Sequence, residues 1–204
     1  MNIQAIFIGL IAYVMGSIPF SYLYGKIFHK IDLREHGSGN VGSTNALRVL
    51  GWRLGLLTLI SDMLKGFLAV WLVKRYFGDC SLIIPSLAVI LGHTFTIFLK
   101  FKGGKGVATS AGVFAALIPL PFILALSVFI IVTALSKYVS LGSITAALTL
   151  SIAQLVVFLT KGYSDPVYLI LAILVTTLII VKHRENIGRL MKGTENKISF
   201  KSKS

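Results

Sequence analysis

Six apolar runs, at residues 3 to 25, 54 to 73, 81 to 99, 107 to 135, 141 to 160 and 163 to 181, occupy most of this 204-residue chain. Most come close to the ~20 residues that an α-helix needs to cross a bilayer. In hydrocarbon no water satisfies backbone N–H and C=O groups, so continuous apolar runs must fold as internally bonded helices. Composition agrees, with 55% hydrophobic and 13% charged residues and a mean hydropathy of +0.86. Soluble domains are roughly one quarter charged. The sequence therefore predicts an all-α polytopic membrane protein.

Charge sets the expected topology. Lys and Arg number 20 against 7 Asp and Glu, for a net +13. In a soluble protein that excess would suggest nucleic acid; between apolar runs it marks cytoplasmic loops facing anionic lipid heads, so membrane lipid is the expected partner and nucleic acid is not. Lys26, Lys30, Arg34, Arg48 and Arg53 follow the first run, Lys100, Lys102 and Lys105 follow the third, and seven basic residues lie from Lys182 onward. Six single crossings would leave that last group outside. The run 107 to 135 resolves the conflict, because it is too long for one span and Pro119 and Pro121 interrupt it. It is expected to form two short helices with a turn at the prolines, each extended at its cytoplasmic end. Seven transmembrane helices result, with the N-terminus outside and the C-terminus cytoplasmic, in one domain over 1–204 with a mobile basic tail at 193–204. Met1 to Leu10 carries no basic residue and is expected to be a first span, not a cleaved signal. The lone Cys80 rules out an intrachain disulfide or a cysteine-built metal site.

Polar residues gather in a few segments. His36-Gly-Ser-Gly-Asn-Val-Gly-Ser-Thr-Asn-Ala-Leu-Arg48 contains the string G-x-G-x-x-G, but without a βαβ unit around it the dinucleotide reading fails. What remains is a candidate anion loop. Gly37, Gly39 and Gly42 would let N–H groups converge, Ser38, Asn40, Ser43 and Thr44 would add polar contacts, and Arg48 would supply a planar fork. Asn45 and Arg48, three apart, would share a face of a short helix capped by Ser43 or Thr44.

Lys100-Phe-Lys-Gly-Gly-Lys-Gly106 precedes the next run. It is not a Walker A loop, since residue 99 is Leu and Lys105 is followed by Gly106. Lys100 and Lys102 would anchor at lipid phosphates, whereas Lys105, between Gly104 and Gly106, suits a phosphate that approaches the backbone. In Lys182-His-Arg-Glu-Asn-Ile-Gly-Arg189, an extension of the last helix, His183 and Asn186 would share a face and Glu185 would pair with Arg189. Asp62 and Lys65, three apart inside an apolar run, should neutralise each other. His93 could be a bundle histidine or line a pocket. Ser140 and Ser143 could cap or line. No histidine has an aspartate five residues on, and neither HExxH nor a Cys/His cluster occurs. A His–Asp base or a catalytic metal is therefore unsupported, and no cofactor is expected.

Taken together, Gly37-Ser-Gly-Asn-Val-Gly-Ser-Thr-Asn45 with Arg48, Asp62-Met-Leu-Lys-Gly66, Phe98 to Ala108, Tyr138-Val-Ser-Leu-Gly-Ser143 and His183-Arg-Glu-Asn186 resemble the bacterial integral-membrane acyl-phosphate:glycerol-3-phosphate acyltransferases over nearly the full chain. The resemblance implies transfer of an acyl group from acyl phosphate to the sn-1 hydroxyl of glycerol 3-phosphate, with lysophosphatidic acid and phosphate as products, in the bacterial inner membrane with the site facing the cytoplasm. It places Ser38, Arg48, Lys105, His183 and Asn186 at the substrates, Gly103, Gly104 and Gly106 in a phosphate loop, and Glu185 in a structural role. Both substrates carry phosphate, which fits two glycine-rich loops and two fixed cations converging beneath the inner leaflet. A monomer is expected. A transporter for a phosphorylated solute would share the basic, polytopic character but predicts polar groups near the midplane and an internal repeat. A lipid-binding structural protein would have no use for two such loops.

Overall fold

The computed structural model describes residues 3–78, 82–160 and 165–198. Cys80, the segment Lys161 to Tyr163 and the last six residues of the expected mobile tail lie outside them. Ten α-helices are present among the described residues: α1 Ile3–Ser17, α2 Phe20–Tyr24, α3 Ser43–Leu50, α4 Trp52–Phe77, α5 Ile83–Thr94, α6 Val107–Leu117, α7 Pro119–Ser136, α8 Val139–Thr160, α9 Pro166–Lys182 and α10 Arg184–Met191. The described residues group into two compact units, one up to Ala116 and one from Leu117.

Four stretches are long and apolar enough to cross a bilayer, namely Ile3–His29, Trp52–Phe77, Pro119–Ser136 and Val139–Thr160. The pair α9 and α10 gives a fifth, bent by 58°. Of the two helices expected around the prolines only α6 is short, at 11 residues against 18 for α7. By helical rise α6 spans ~16 Å, about half the hydrocarbon thickness. The break falls at Ile118, held extended (φ −137°, ψ 69°) by the ring of Pro119, which then starts α7 at its first position.

In the first unit, glycines let helices meet backbone to backbone, as small residues do in membranes. A Cβ at Gly16 would strike the Val89 carbonyl and one at Gly92 the Tyr13 carbonyl, so α1 lies directly on α5. Likewise Gly66 lies on the Thr109 carbonyl and Gly112 on that of Met63, joining α4 to α6. Gly51, with φ 86°, turns α3 into α4, where Gly55 rests on the Leu47 backbone. Leu33, Ala46 and Leu50 are buried together beneath this hairpin against Tyr24, Ile31, Val49 and Leu54.

In the second unit α7 and α8 pack closely, with Gly142 against the Thr133 hydroxyl. Thr176 ties α9 to α8 by donating to the Ala147 carbonyl at 2.8 Å and sharing a hydrogen bond with Ser151 at 2.8 Å. The last helix does not run on unbroken as expected, because it bends at His183. Nor is the chain loose from Gly193. Thr194 N–H donates to the Arg189 carbonyl at 2.9 Å and Ile198 N–H to the Lys137 carbonyl at 2.8 Å, so the segment is bound as far as Ile198.

Candidate functional site

The loop between α2 and α3 is organised from within by Asn45, which is 2% exposed. Its Oδ1 accepts the Ser38 N–H at 2.9 Å, while its Nδ2 donates to the carbonyls of Leu33 at 3.3 Å and His36 at 3.0 Å. Both amide hydrogens and the oxygen are thus taken up by the loop. Asn45 and Arg48 consequently part company: Asn45 faces inward and Arg48 is exposed in the last turn of α3. Gly37 and Gly39 adopt φ 62° and 70°, and a Cβ on Gly37 would collide with Asn45 Oδ1, so glycine is required there. Neither Ser43 nor Thr44 caps α3. The N-cap is Gly42, which has no side chain to offer, and the Asn40 amide folds to within 2.9 Å of where its Cβ would be. Ser38 stays exposed.

Upstream, Asp32 caps a 3₁₀ turn over Leu33–Glu35 by accepting the Arg34 N–H at 3.0 Å. Its oxygens also accept from Arg34 Nε at 3.0 Å and Nη2 at 2.7 Å. The hydrogen bonds from Arg34 are the main reason its carboxyl is lowered to about 2, against an opposing push from burial. The loop's base is therefore anchored by a carboxylate at any physiological pH.

The Gly103 turn is built on the end of α5. That helix stops at Thr94, short of the expected run to residue 99, which places His93 at its last turn and not two turns inside a span. Thr96 accepts the Phe98 N–H and donates to the Ser17 carbonyl, starting a 3₁₀ turn over Ile97–Leu99. Lys100 and Phe101 then adopt left-handed φ of 52° and 61°, which reverses the chain. Gly103 N–H reaches the Thr94 carbonyl and Gly104 N–H the His93 carbonyl, both at 3.1 Å. Those two amides are taken up by the end of α5. The glycines serve close approach: a Cβ at Gly103 would overlap the His93 carbonyl oxygen, and one at Gly104 the His93 ring. Just after Gly106 (φ 84°) α6 begins, and its first helical N–H groups have no acceptor within the helix. Lys105 is half-buried beside them.

Asp62 and Lys65 pair as expected, at 2.7 Å, with side chains 2% and 3% exposed. His93 completes the cluster, its Nδ1 lying 3.0 Å from Lys65 Nζ and 3.4 Å from Asp62 Oδ1. No spacing rule links position 93 to 62 and 65, so the sequence could not announce this contact.

In the second unit His183 and Asn186 are both buried at the junction of α9 and α10. His183 Nδ1 lies 2.8 Å from the Ile179 carbonyl. A carbonyl only accepts, so Nδ1 carries the proton, and in the neutral ring Nε2 is the acceptor. Asn186 Nδ2 donates to Glu195 Oε1 at 2.7 Å, Ser140 Oγ donates to the same oxygen at 3.0 Å, and Arg189 Nε donates to Oε2 at 2.7 Å. The expected Glu185–Arg189 pair is replaced by Glu195–Arg189, and Glu185 is exposed. The structural carboxylate is therefore Glu195, which sequence reasoning missed. Its signal was present, since Glu195 is the one acidic residue after Glu185 in a basic tail. Ser143 bonds back to the Val139 carbonyl at 2.8 Å.

Burial pushes the Glu195 carboxyl up, but hydrogen bonds from Asn186, Arg189 and Ser140, with the Arg189 charge, outweigh it and hold the carboxyl below its ordinary value. A depressed carboxyl stabilises the fold above its unfolded pKa, and that contribution is lost as pH falls through the folded value. Glu195→Gln should mimic this loss at neutral pH: it weakens the Arg189 contact and releases the tail. Limited trypsin digestion followed by mass spectrometry should show faster cleavage after Lys192 in the variant; equal rates would mean that the carboxylate does not hold the segment.

The family model described as Glycerol-3-phosphate acyltransferase matches residues 6–193. A "Glycerol-3-phosphate acyltransferase" of Fusobacterium nucleatum is 44% identical over 194 residues, covering 94% of this chain and 96% of the relative. That of Trichlorobacter lovleyi is 46% identical over 187 residues, covering 91% and 93%. Among solved structures, the glycerol 3-phosphate form of PlsY, described as an integral membrane glycerol 3-phosphate acyltransferase, aligns with a TM-score of 0.87 at 40% identity and covers 96% of each chain. Its lysophosphatidic acid form aligns at 0.84 and 39% identity, covering 97% of this chain and 96% of that one. The chain belongs to the glycerol-3-phosphate acyltransferase family.

Proposed function

We propose that this protein transfers an acyl group from acyl phosphate to the sn-1 hydroxyl of glycerol 3-phosphate, releasing lysophosphatidic acid and inorganic phosphate. What supports the reading is the Gly103–Gly106 turn, which sets Lys105 two residues before the start of α6, whose first N–H groups have no acceptor within the helix, an arrangement that suits a phosphate dianion. The relatives' names supply the acceptor substrate. Arg48 offers a second, exposed cation with a planar fork, next to the glycine loop that carries Ser38.

Acyl phosphate arrives activated, so catalysis reduces to alignment and charge stabilisation. Lys105 and Arg48 neutralise the substrate phosphates, and the Ser38 hydroxyl adds a polar contact beside Arg48's loop. The hydroxyl oxygen bonds to the acyl carbon, the acyl–phosphate C–O bond breaks, and the hydroxyl proton leaves on phosphate. The amide of Asn45 is assigned to loop geometry, and the Asp62–Lys65 pair to support of the site. No acyl-enzyme forms. Purified protein given acyl phosphate and glycerol 3-phosphate without coenzyme A should release phosphate. Arg48→Ala and Lys105→Ala should raise KM for glycerol 3-phosphate about tenfold or more, in line with a lost charge-assisted hydrogen bond. An acyl-Ser38 adduct in mass spectra would refute the direct transfer, and absent phosphate release with solute uptake into vesicles would favour transport.

For topology we propose seven crossings, with the N-terminus outside and the loops bearing Arg48, Lys105 and Lys137 in the cytoplasm of a bacterial inner membrane. The distribution of basic residues supports this. With Cys80 replaced by serine, a cysteine introduced at Leu120 should react with an impermeant maleimide added outside intact cells. Labelling only from the cytoplasmic side would reverse the assignment.

A further inference from the structure

We propose that His93 is the positioning residue of the Gly103–Gly106 turn, held by Lys65 in the tautomer that carries its proton on Nε2, against Gly104. The Lys65 ammonium has three N–H donors and no acceptor. Three acceptors surround it: Asp62 Oδ1 at 2.7 Å, the Ile18 carbonyl at 3.0 Å and His93 Nδ1 at 3.0 Å. The Ile18 and His93 contacts are hydrogen bonds and the Asp62 contact is an ion pair; an ammonium only donates, so His93 Nδ1 must present a lone pair to it. A protonated ring would set a second cation 3.0 Å from the ammonium, while the Asp62 carboxylate balances only one charge. The Phe20 ring, 5.5 Å from Nζ, adds a further attraction for the cation.

A neutral imidazole with a bare Nδ1 carries its hydrogen on Nε2. That nitrogen lies against Gly104, where a Cβ would overlap it. Residue 93 thus meets the turn twice, through its carbonyl to the Gly104 N–H at 3.1 Å and through the protonated edge of its ring. The buried charges of α4 reach the backbone that carries Lys105 by way of this ring. His183 makes the opposite choice, with its proton on Nδ1.

The proposal is tested on the full-length protein in detergent, with histidine ¹⁵N-labelled in the ring and His93 assigned from the signals lost in His93→Asn. Long-range ¹H–¹⁵N correlations at neutral pH should show a protonated Nε2 and an acceptor Nδ1. The opposite tautomer, or an imidazolium, would overturn the proposal whatever the enzyme does. The kinetic arm rests on the acyl-transfer reading above. His93→Asn can still accept from Lys65 but cannot reach Gly104, whereas His93→Gln can place an amide N–H there. His93→Asn should raise KM for glycerol 3-phosphate about tenfold, with kcat within about twofold, and His93→Gln, whose longer side chain refills the space against Gly104, should recover most of it. Equal KM in the two variants, or wild-type KM in His93→Asn, would overturn the positioning role. Wild-type protein without transfer activity would instead refute the functional reading and leave the tautomer as the deciding result.

Discussion

Two backbone hydrogen bonds, from Gly103 N–H to the Thr94 carbonyl and from Gly104 N–H to the His93 carbonyl, join the glycine turn to the end of α5 and so fix the start of α6. The geometry of the turn and the placing of Lys105 depend on that seating. The unfavourable φ of Lys100 and Phe101 is tolerated because it returns the chain to α5. Glycine at 103 and 104 follows from contact with residues 93 and 94, and the free amides at the head of α6 follow from where the turn leaves off.

Buried charge is handled alike in both units. Asp62 is ion-paired with Lys65 in one, and Glu195 accepts from Ser140, Asn186 and Arg189 in the other. Isolated buried charges are costly, and neither carboxylate is isolated. Each one also holds a polar side chain in place next to a residue proposed to meet substrate: His93 beneath Lys105, and Asn186 beside His183. Positioning by buried ion pairs is thus a common theme, built twice from unrelated segments.

Much of this was legible in the sequence. The apolar runs announced the helices, Pro119 announced the break after α6, and the three-residue spacing of Asp62 and Lys65 announced their pair. Local patterns carried that information. What failed involved tertiary contact. The stop of α5 at Thr94 depends on a turn folding back from residue 103, and no periodicity within 81 to 99 records it. Glu185 was chosen as Arg189's partner because it sits one helical turn away, whereas Glu195 competes by way of a chain reversal after Met191. The glycines at 103 and 104, read as part of a phosphate loop, meet residues 93 and 94 at close range; glycine permits close packing as readily as it exposes amides, and sequence does not distinguish the two. Asn45 likewise looked like a ligand and proved to be the bolt of its own loop.

The central claim, that Gly103 and Gly104 face inward and the head of α6 faces the anion, is tested most directly by amide hydrogen exchange resolved across residues 101 to 110, with and without glycerol 3-phosphate. The account predicts that the Gly103 and Gly104 amides are protected in the unliganded protein, while those of Lys105 to Ala108 exchange quickly and slow when the ligand is added. Fast exchange at Gly103 and Gly104 that is suppressed only by ligand would contradict it, and would return those glycines to the role of a phosphate cradle.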